Sequence, residues 1–139
     1  MCHNINMKKV YVFIFLLILA LPANAKRLHY EATYQNRWCS CVGGIQEYEL
    51  NDFTRVDCLT KTHAIEFDFA NKVYEGIGQS LYYGIKTKKK PGIVLILENP
   101  EKEQKYVNRM KRVAKKKGID CWLMYESDLW DFKLHPVKL

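Results

Sequence analysis

The sequence predicts an α/β domain built on a sheet of mixed strand direction. Three features carry that expectation. Three strand-like runs succeed one another with turn residues between them, the unbroken apolar run Ile93 to Leu97 has the pattern of a strand buried on both faces, and helical periodicity stands on either side of it.

The first element is a helix. Between Arg27 and about Ser40 there is no Gly or Pro, and Tyr30, Tyr34, Trp38 and Cys41 recur at near-helical spacing until Gly43-Gly44 ends the run. Ile45 to Leu50, Thr54 to Leu59 and Ala64 to Phe69 then read as strands, with Asn51-Asp52 and Thr60-Lys61 as the turns of an antiparallel meander. Asn71 is placed to cap a second helix reaching about Lys86, whose Val73, Ile77, Leu81 and Ile85 share one apolar face. Lys88 to Lys90 and Pro91-Gly92 break that helix, and Ile93 to Leu97 follows as the expected central strand. Asn99-Pro100 opens a third helix, Glu101 to about Lys117, with acids in its first turn and lysines in its last, as the helix dipole favours. Gly118 stops it. Cys121 to Tyr125 is the last strand, and Ser127 to Phe132 a terminal turn.

Ahead of these elements, Lys8 and Lys9, the apolar run Val10 to Leu21 and the small residues of Ala23-Asn24-Ala25 have the layout of a cleavable secretory signal peptide. The run is short for a bilayer span. The expected mature chain is therefore one exported domain, residues 26 to 139, periplasmic or secreted and without stable membrane insertion. Its 114 residues suffice for one hydrophobic core. The leader holds two of the 22 basic residues and none of the 15 acidic ones, which leaves a net charge of +5. Lys102, Lys105, Lys111 and Lys115 to Lys117 fit a solvated helix face, and equally an attraction to phosphate.

Cys39, Cys41, Cys58 and Cys121 form an even set for an oxidising compartment. Cys39 and Cys41 are too close to pair without strain, so the expected bridge joins one of them to Cys58 or Cys121. Zinc has little support, because C-x-C is not the usual spacing and the other thiols are distant. His29, His63 and His135 are scattered, and no nucleophile elbow or glycine-rich phosphate loop is present. Gly76 and Gly78 suit close helix packing, and Trp38 and Trp122 suit the core.

The chemistry-bearing stretch is Arg55 to Leu59 followed by Ala64 to Phe69. Strand alternation sets Val56 and Cys58 on one face and Asp57 on the other, and opposes Ile65, Phe67 and Phe69 to Ala64, Glu66 and Asp68. Asp57 and Glu66 then meet on adjacent strands, with Asp68 two residues along. Three neighbouring carboxylates call for a divalent cation, a lysine or a shared proton. Mg²⁺ takes one or two carboxylates plus water and phosphate oxygens, so the cluster suits it. Lys72 begins the next helix, and Lys72, Glu75, Gln79 and Tyr83 follow one another as a polar stripe beside the apolar one. Each residue has an ordinary reading as a hairpin charge, a solvent-facing strand residue or a salt-bridge partner. Taken together, in order on successive elements, these residues weigh against it.

An acid in a first helix, Asp57 on a hairpin strand, Glu66-x-Asp68 on the next, and a helix bearing Gln79-x-x-x-Tyr83 resemble the PD-(D/E)XK nuclease superfamily, especially its exonuclease branch. The resemblance runs from about Glu31 to Leu97. It implies a restriction-endonuclease-like αβββαβ core, extended here by a C-terminal helix and strand. It also implies Mg²⁺ or Mn²⁺ held by Asp57 and Glu66, with Glu31 or Glu47 steadying the metal or its water. Gln79 and Tyr83 would position the substrate. The family's lysine stands two residues after the glutamate, a place held here by Asp68, so Lys72 would be a relocated lysine. The implied activity is metal-dependent phosphodiester hydrolysis on nucleic acid; the contrasting expectation is a non-enzymatic exported module that binds an envelope or secreted protein.

Overall fold

A computed structural model describes residues 26–139; the leader expected at residues 1–25 lies outside them. Helix α1 (Glu31–Cys41) leads into strands β1 (Ile45–Glu49), β2 (Arg55–Leu59) and β3 (His63–Phe69). A 3₁₀ turn (Ala70–Lys72) then joins helix α2 (Val73–Thr87), followed by β4 (Lys90–Leu97), helix α3 (Pro100–Lys117), β5 (Asp120–Tyr125) and a closing 3₁₀ turn (Glu126–Leu129). The five strands form one mixed sheet in sequence order: β1, β2 and β3 run antiparallel, and β3, β4 and β5 parallel. Strand β4 is covered on both faces, as its apolar run predicts.

The alternation of β4 divides the core. Val94 and Ile96 pack with Ile65, Phe67, Phe69, Trp122 and Met124 beneath Tyr34 and Trp38 of α1, whereas Ile93, Leu95 and Leu97 pack beneath α2 and α3. Trp38 meets Phe67 and Trp122 edge to face, with ring centroids 5.6 and 5.4 Å apart. A disulfide joins Cys39 to Cys58 and ties α1 to β2; Cys41 is free and exposed, Cys121 free and buried. Gly44 makes that bridge possible, because a Cβ there would stand 2.4 Å from the Cys58 sulfur and 2.6 Å from that of Cys39.

Several expectations need correction. Helix α1 starts at Glu31 and not Arg27, because the Leu28 and His29 N–H groups bond to the Glu98 carboxylate, holding the segment outside the helix. Tyr30, now outside the helix, is exposed, and so is Cys41 at the helix's last position, although both share the spacing of Tyr34 and Trp38. Asn71 does not cap α2. Its side chain accepts from Arg27, and the 3₁₀ turn shifts the helix start to Val73. The buried face follows Val73, Gly76, Ile77, Ser80, Tyr83 and Gly84, and the strict four-residue step from Val73 to Ile85 drifts about 40° per step off it, leaving Ile85 78% exposed. Gly76 approaches the sheet as expected, but a Cβ at Gly78 would meet open space. Among the described residues, no helix is long and apolar enough to cross a membrane.

Candidate functional site

The site begins with a defect in the sheet. Strand β2 pairs with β1 at Gln46↔Cys58 and Tyr48↔Val56 but not between, and its ladder with β3 ends at Cys58↔Ile65. Both interruptions fall at Asp57. Glu47, opposite it on β1, has a left-handed backbone (φ 49°), a conformation uncommon for a residue with a side chain. Side chains replace the missing ladder bonds. Gln35 Nε2 donates to the Asp57 carbonyl (2.8 Å) and to Glu47 Oε1 (2.7 Å), Asp57 N–H donates to Glu66 Oε1 (3.4 Å), and Phe67 N–H donates to Asp57 Oδ2 (2.8 Å).

This defect also breaks the alternation expected along β2. Cys58 packs on the α1 side with Trp38, while Val56 is buried with Ala64 and Tyr83. The strand thus turns at Asp57 and carries that side chain into the gap where β2 and β3 part. Distortions of this kind re-aim a side chain where a regular strand could not.

Glu66 and Asp68 face α2 from β3 and are only 2% and 3% exposed. A Cβ at Gly76 would lie 3.1 Å from Asp68 Cβ, so the glycine lets α2 settle directly over this carboxylate. Asp68 Oδ1 is buried and has no hydrogen-bond partner among the described residues. Burial raises the pKa of Asp57 and Glu66 far above the usual carboxylate range, and each is raised further by neighbouring carboxylates. Asp68 is pushed up to about 7 by burial and then by the charge of Glu31, against the opposing pull of Lys72. Glu31, raised chiefly by burial, feels Lys72, Glu75, Arg27 and Glu47.

Glu31, Glu47, Asp57, Glu66, Asp68 and Lys72 therefore share one electrostatic neighbourhood, drawn from α1, β1, β2, β3 and the turn before α2. Lys72 is half exposed and stands 3.9 Å from Glu75, at the rim. Tyr83 is buried close enough for the charges of Glu66 and Asp57 to raise its pKa, after burial itself. Gln79 is not brought in: it lies on the exposed side of α2, so the stripe expected through Gln79 and Tyr83 splits between solvent and core.

Gln35 was not legible as a site residue. It is 3% exposed and organises both Asp57 and Glu47. The signal that could have found it was a polar side chain one turn after Glu31, between the core residues Tyr34 and Trp38.

Among the described residues, no three His, Cys, Asp or Glu side chains form a cage for a metal ion. The carboxyl groups of Asp57 and Glu66 lie within hydrogen-bond reach of each other, and Asp68 Oδ1 is left without a partner among those residues. Compared with family models, curated proteins and solved structures, the chain matches none.

Proposed function

We propose that this chain is a metal-dependent phosphodiester hydrolase of the PD-(D/E)XK type, acting on nucleic acid outside the cytoplasm. The observation that carries the reading is the buried trio Asp57, Glu66 and Asp68 at the parting of β2 and β3, with its strongly raised carboxyl pKa values and one unpartnered oxygen. The element order from α1 through β4 is compatible with the restriction-endonuclease-like core. A disulfide beside the site and the leader-like segment support export.

Asp57 and Glu66 would hold Mg²⁺ or Mn²⁺. Once bound, such an ion supplies Lewis-acid polarisation of a phosphate oxygen and a more acidic water. The chain's own groups do the rest. Gln35 fixes the backbone of Asp57, Glu31 and Glu47 add negative potential beside it, and the Lys72 ammonium offsets charge at the rim. Tyr83, buried with Val56 and Ala64, lies near enough to Glu66 for that carboxyl to raise the pKa of its hydroxyl, after burial itself.

The test is cleavage of single- and double-stranded DNA and RNA by the mature protein with Mg²⁺ or Mn²⁺. Asp57→Asn and Glu66→Gln should each lower the rate at least about a hundredfold while preserving the circular dichroism spectrum. Cleavage surviving both substitutions removes the assigned site. A second reading, an exported protein-binding module on a degenerate nuclease fold, is favoured by Asp68 in the lysine's place and by the backbone bonds that already engage Asp57 and Glu66. Calorimetry showing no Mn²⁺ binding to the folded protein would select it.

A further inference from the structure

The exposed face of α3 carries Lys102, Lys105, Arg109, Arg112 and Lys116, spaced three and four residues apart, so that they form one cationic line opposite the buried Val107, Met110 and Ala114. The helix is about 27 Å long at 1.5 Å per residue. At its N-terminal end the line runs into a cleft of about 490 Å³ between Arg27, Asn71, Asn99, Lys102, Lys105 and Tyr106. The Tyr106 ring carries Lys105 on one approach (5.1 Å to its centre) and Arg109 on another (5.4 Å). Glu103, an acid in this cleft, is engaged by the Asn99 N–H at 2.8 Å.

The cleft borders the acidic site. Asn71 lines it while the adjacent Lys72 acts on Asp68 and Glu31, and Arg27 both lines it and lowers the pKa of Glu31. We infer that this surface is a binding track for single-stranded nucleic acid: the cations of α3 hold the backbone, Tyr106 stacks a base in the cleft, and the strand passes Arg27 and Asn71 toward Asp57 and Glu66. The inference rests on the hydrolase reading for the direction of the track but not for its existence. A single strand fits because a concave basic cleft with one aromatic face meets an unpaired base, whereas a duplex hides its base faces. A lipid surface fits poorly. The cationic line has no exposed Trp, Phe or Leu on α3 beside it that would enter a bilayer.

The experiment is fluorescence anisotropy with a labelled oligo-dT of about twenty nucleotides, in EDTA, using Glu66→Gln protein so that binding is read without cleavage. Affinity should fall log-linearly with salt. Lys102→Ala/Lys105→Ala should reduce the slope by about 1.4, from roughly 0.7 per lost contact. Lys61→Ala/Lys88→Ala, away from α3, should leave it unchanged. Tyr106→Leu, which keeps apolar contact and removes the aromatic face, should weaken binding about tenfold. Equal loss in both lysine pairs, or unchanged affinity in the α3 pair and Tyr106→Leu, overturns the track. Tighter binding to phosphatidylglycerol vesicles or to a duplex of the same length, lost in the same variants, replaces single-stranded nucleic acid as the occupant. Track-dependent binding in a protein that cleaves nothing under any divalent metal would sink the hydrolase reading and leave the track standing.

Discussion

Two buried aspartates, Asp68 near the end of β3 and Asp120 at the start of β5, meet burial in opposite ways. Asp120, 8% exposed, accepts from Lys90 Nζ (2.7 Å), Lys138 Nζ (2.8 Å) and His63 Nε2 (2.9 Å), and these partners hold its carboxyl well below the usual range despite burial. Asp68, 3% exposed, has an unpartnered oxygen and further carboxyls nearby, and its pKa is raised. Both expose little surface, but Asp68 lies deeper in the protein, and the partners differ as well. The Asp120 end is a structural clasp that also pins the tail, since Leu139 N–H bonds to the Cys121 carbonyl. The Asp68 end leaves one carboxyl oxygen unpartnered among the described residues, and its carboxyl holds its proton to a higher pH than a free aspartate does.

The strongest way to break this comparison is to cut the bridge beside the acidic end. Replacing Cys39 and Cys58 by alanine opens a loop of separation 19 and should cost about 3 kcal/mol in urea unfolding. Hydrogen exchange should accelerate first at Asp57 and Phe67, while the strand ends around Asp120 stay protected. Equal acceleration at both ends would show that the bridge does not support the acidic site in particular.

A smaller effect follows from the raised pKa of Asp68. Its folded-state value, about 7, lies above the unfolded one, so the native protein binds the extra proton and loses stability as pH rises from about 4 through 7. Asp68→Asn should therefore raise stability by about 2 kcal/mol at pH 8 and leave it unchanged at pH 4; the magnitude follows from ~1.4 kcal/mol for each tenfold change in proton affinity, reduced for relaxation around the charge. Mn²⁺ should recover part of the loss in the wild type alone. A stability that rises with pH at this site would contradict the electrostatics of the cluster.

The smallest effect has the opposite sign. Asp120 has a depressed pKa, so its contribution is present above the unfolded value near 4 and disappears as pH falls toward the folded one. Asp120→Asn should lower stability by about 1 kcal/mol at pH 7, because Lys90 and Lys138 are about half exposed and their attraction is screened. If both asparagine variants destabilise equally at pH 8, the two ends are alike and the contrast fails.

Much of this was present in the chain's own pattern. The unbroken run Ile93 to Leu97 specified a doubly covered strand, Gly118 and Asn99 marked the ends of α3, and period-two spacing brought Glu66 and Asp68 to one face. Asp57 also meets Glu66, but not by the alternation that suggested it: Val56 and Cys58 pack in different clusters because the strand turns between them. Gln79 failed for a related reason. Residues four apart lie about 40° from each other around a helix axis, enough at the edge of the buried face to leave Gln79 in solvent while Tyr83 is in the core.

What the sequence determined alone was therefore set by local periodicity: the identity and order of the elements, the doubly covered strand and the acids available to a site. Tertiary structure decided which cysteines joined, where β2 breaks, and that Gln35, far ahead of Glu66 in the chain, would help satisfy the backbone at that break. The physical reason is that a strand interruption leaves N–H and C=O groups needing partners, and those partners come from whatever distant side chains packing has carried there.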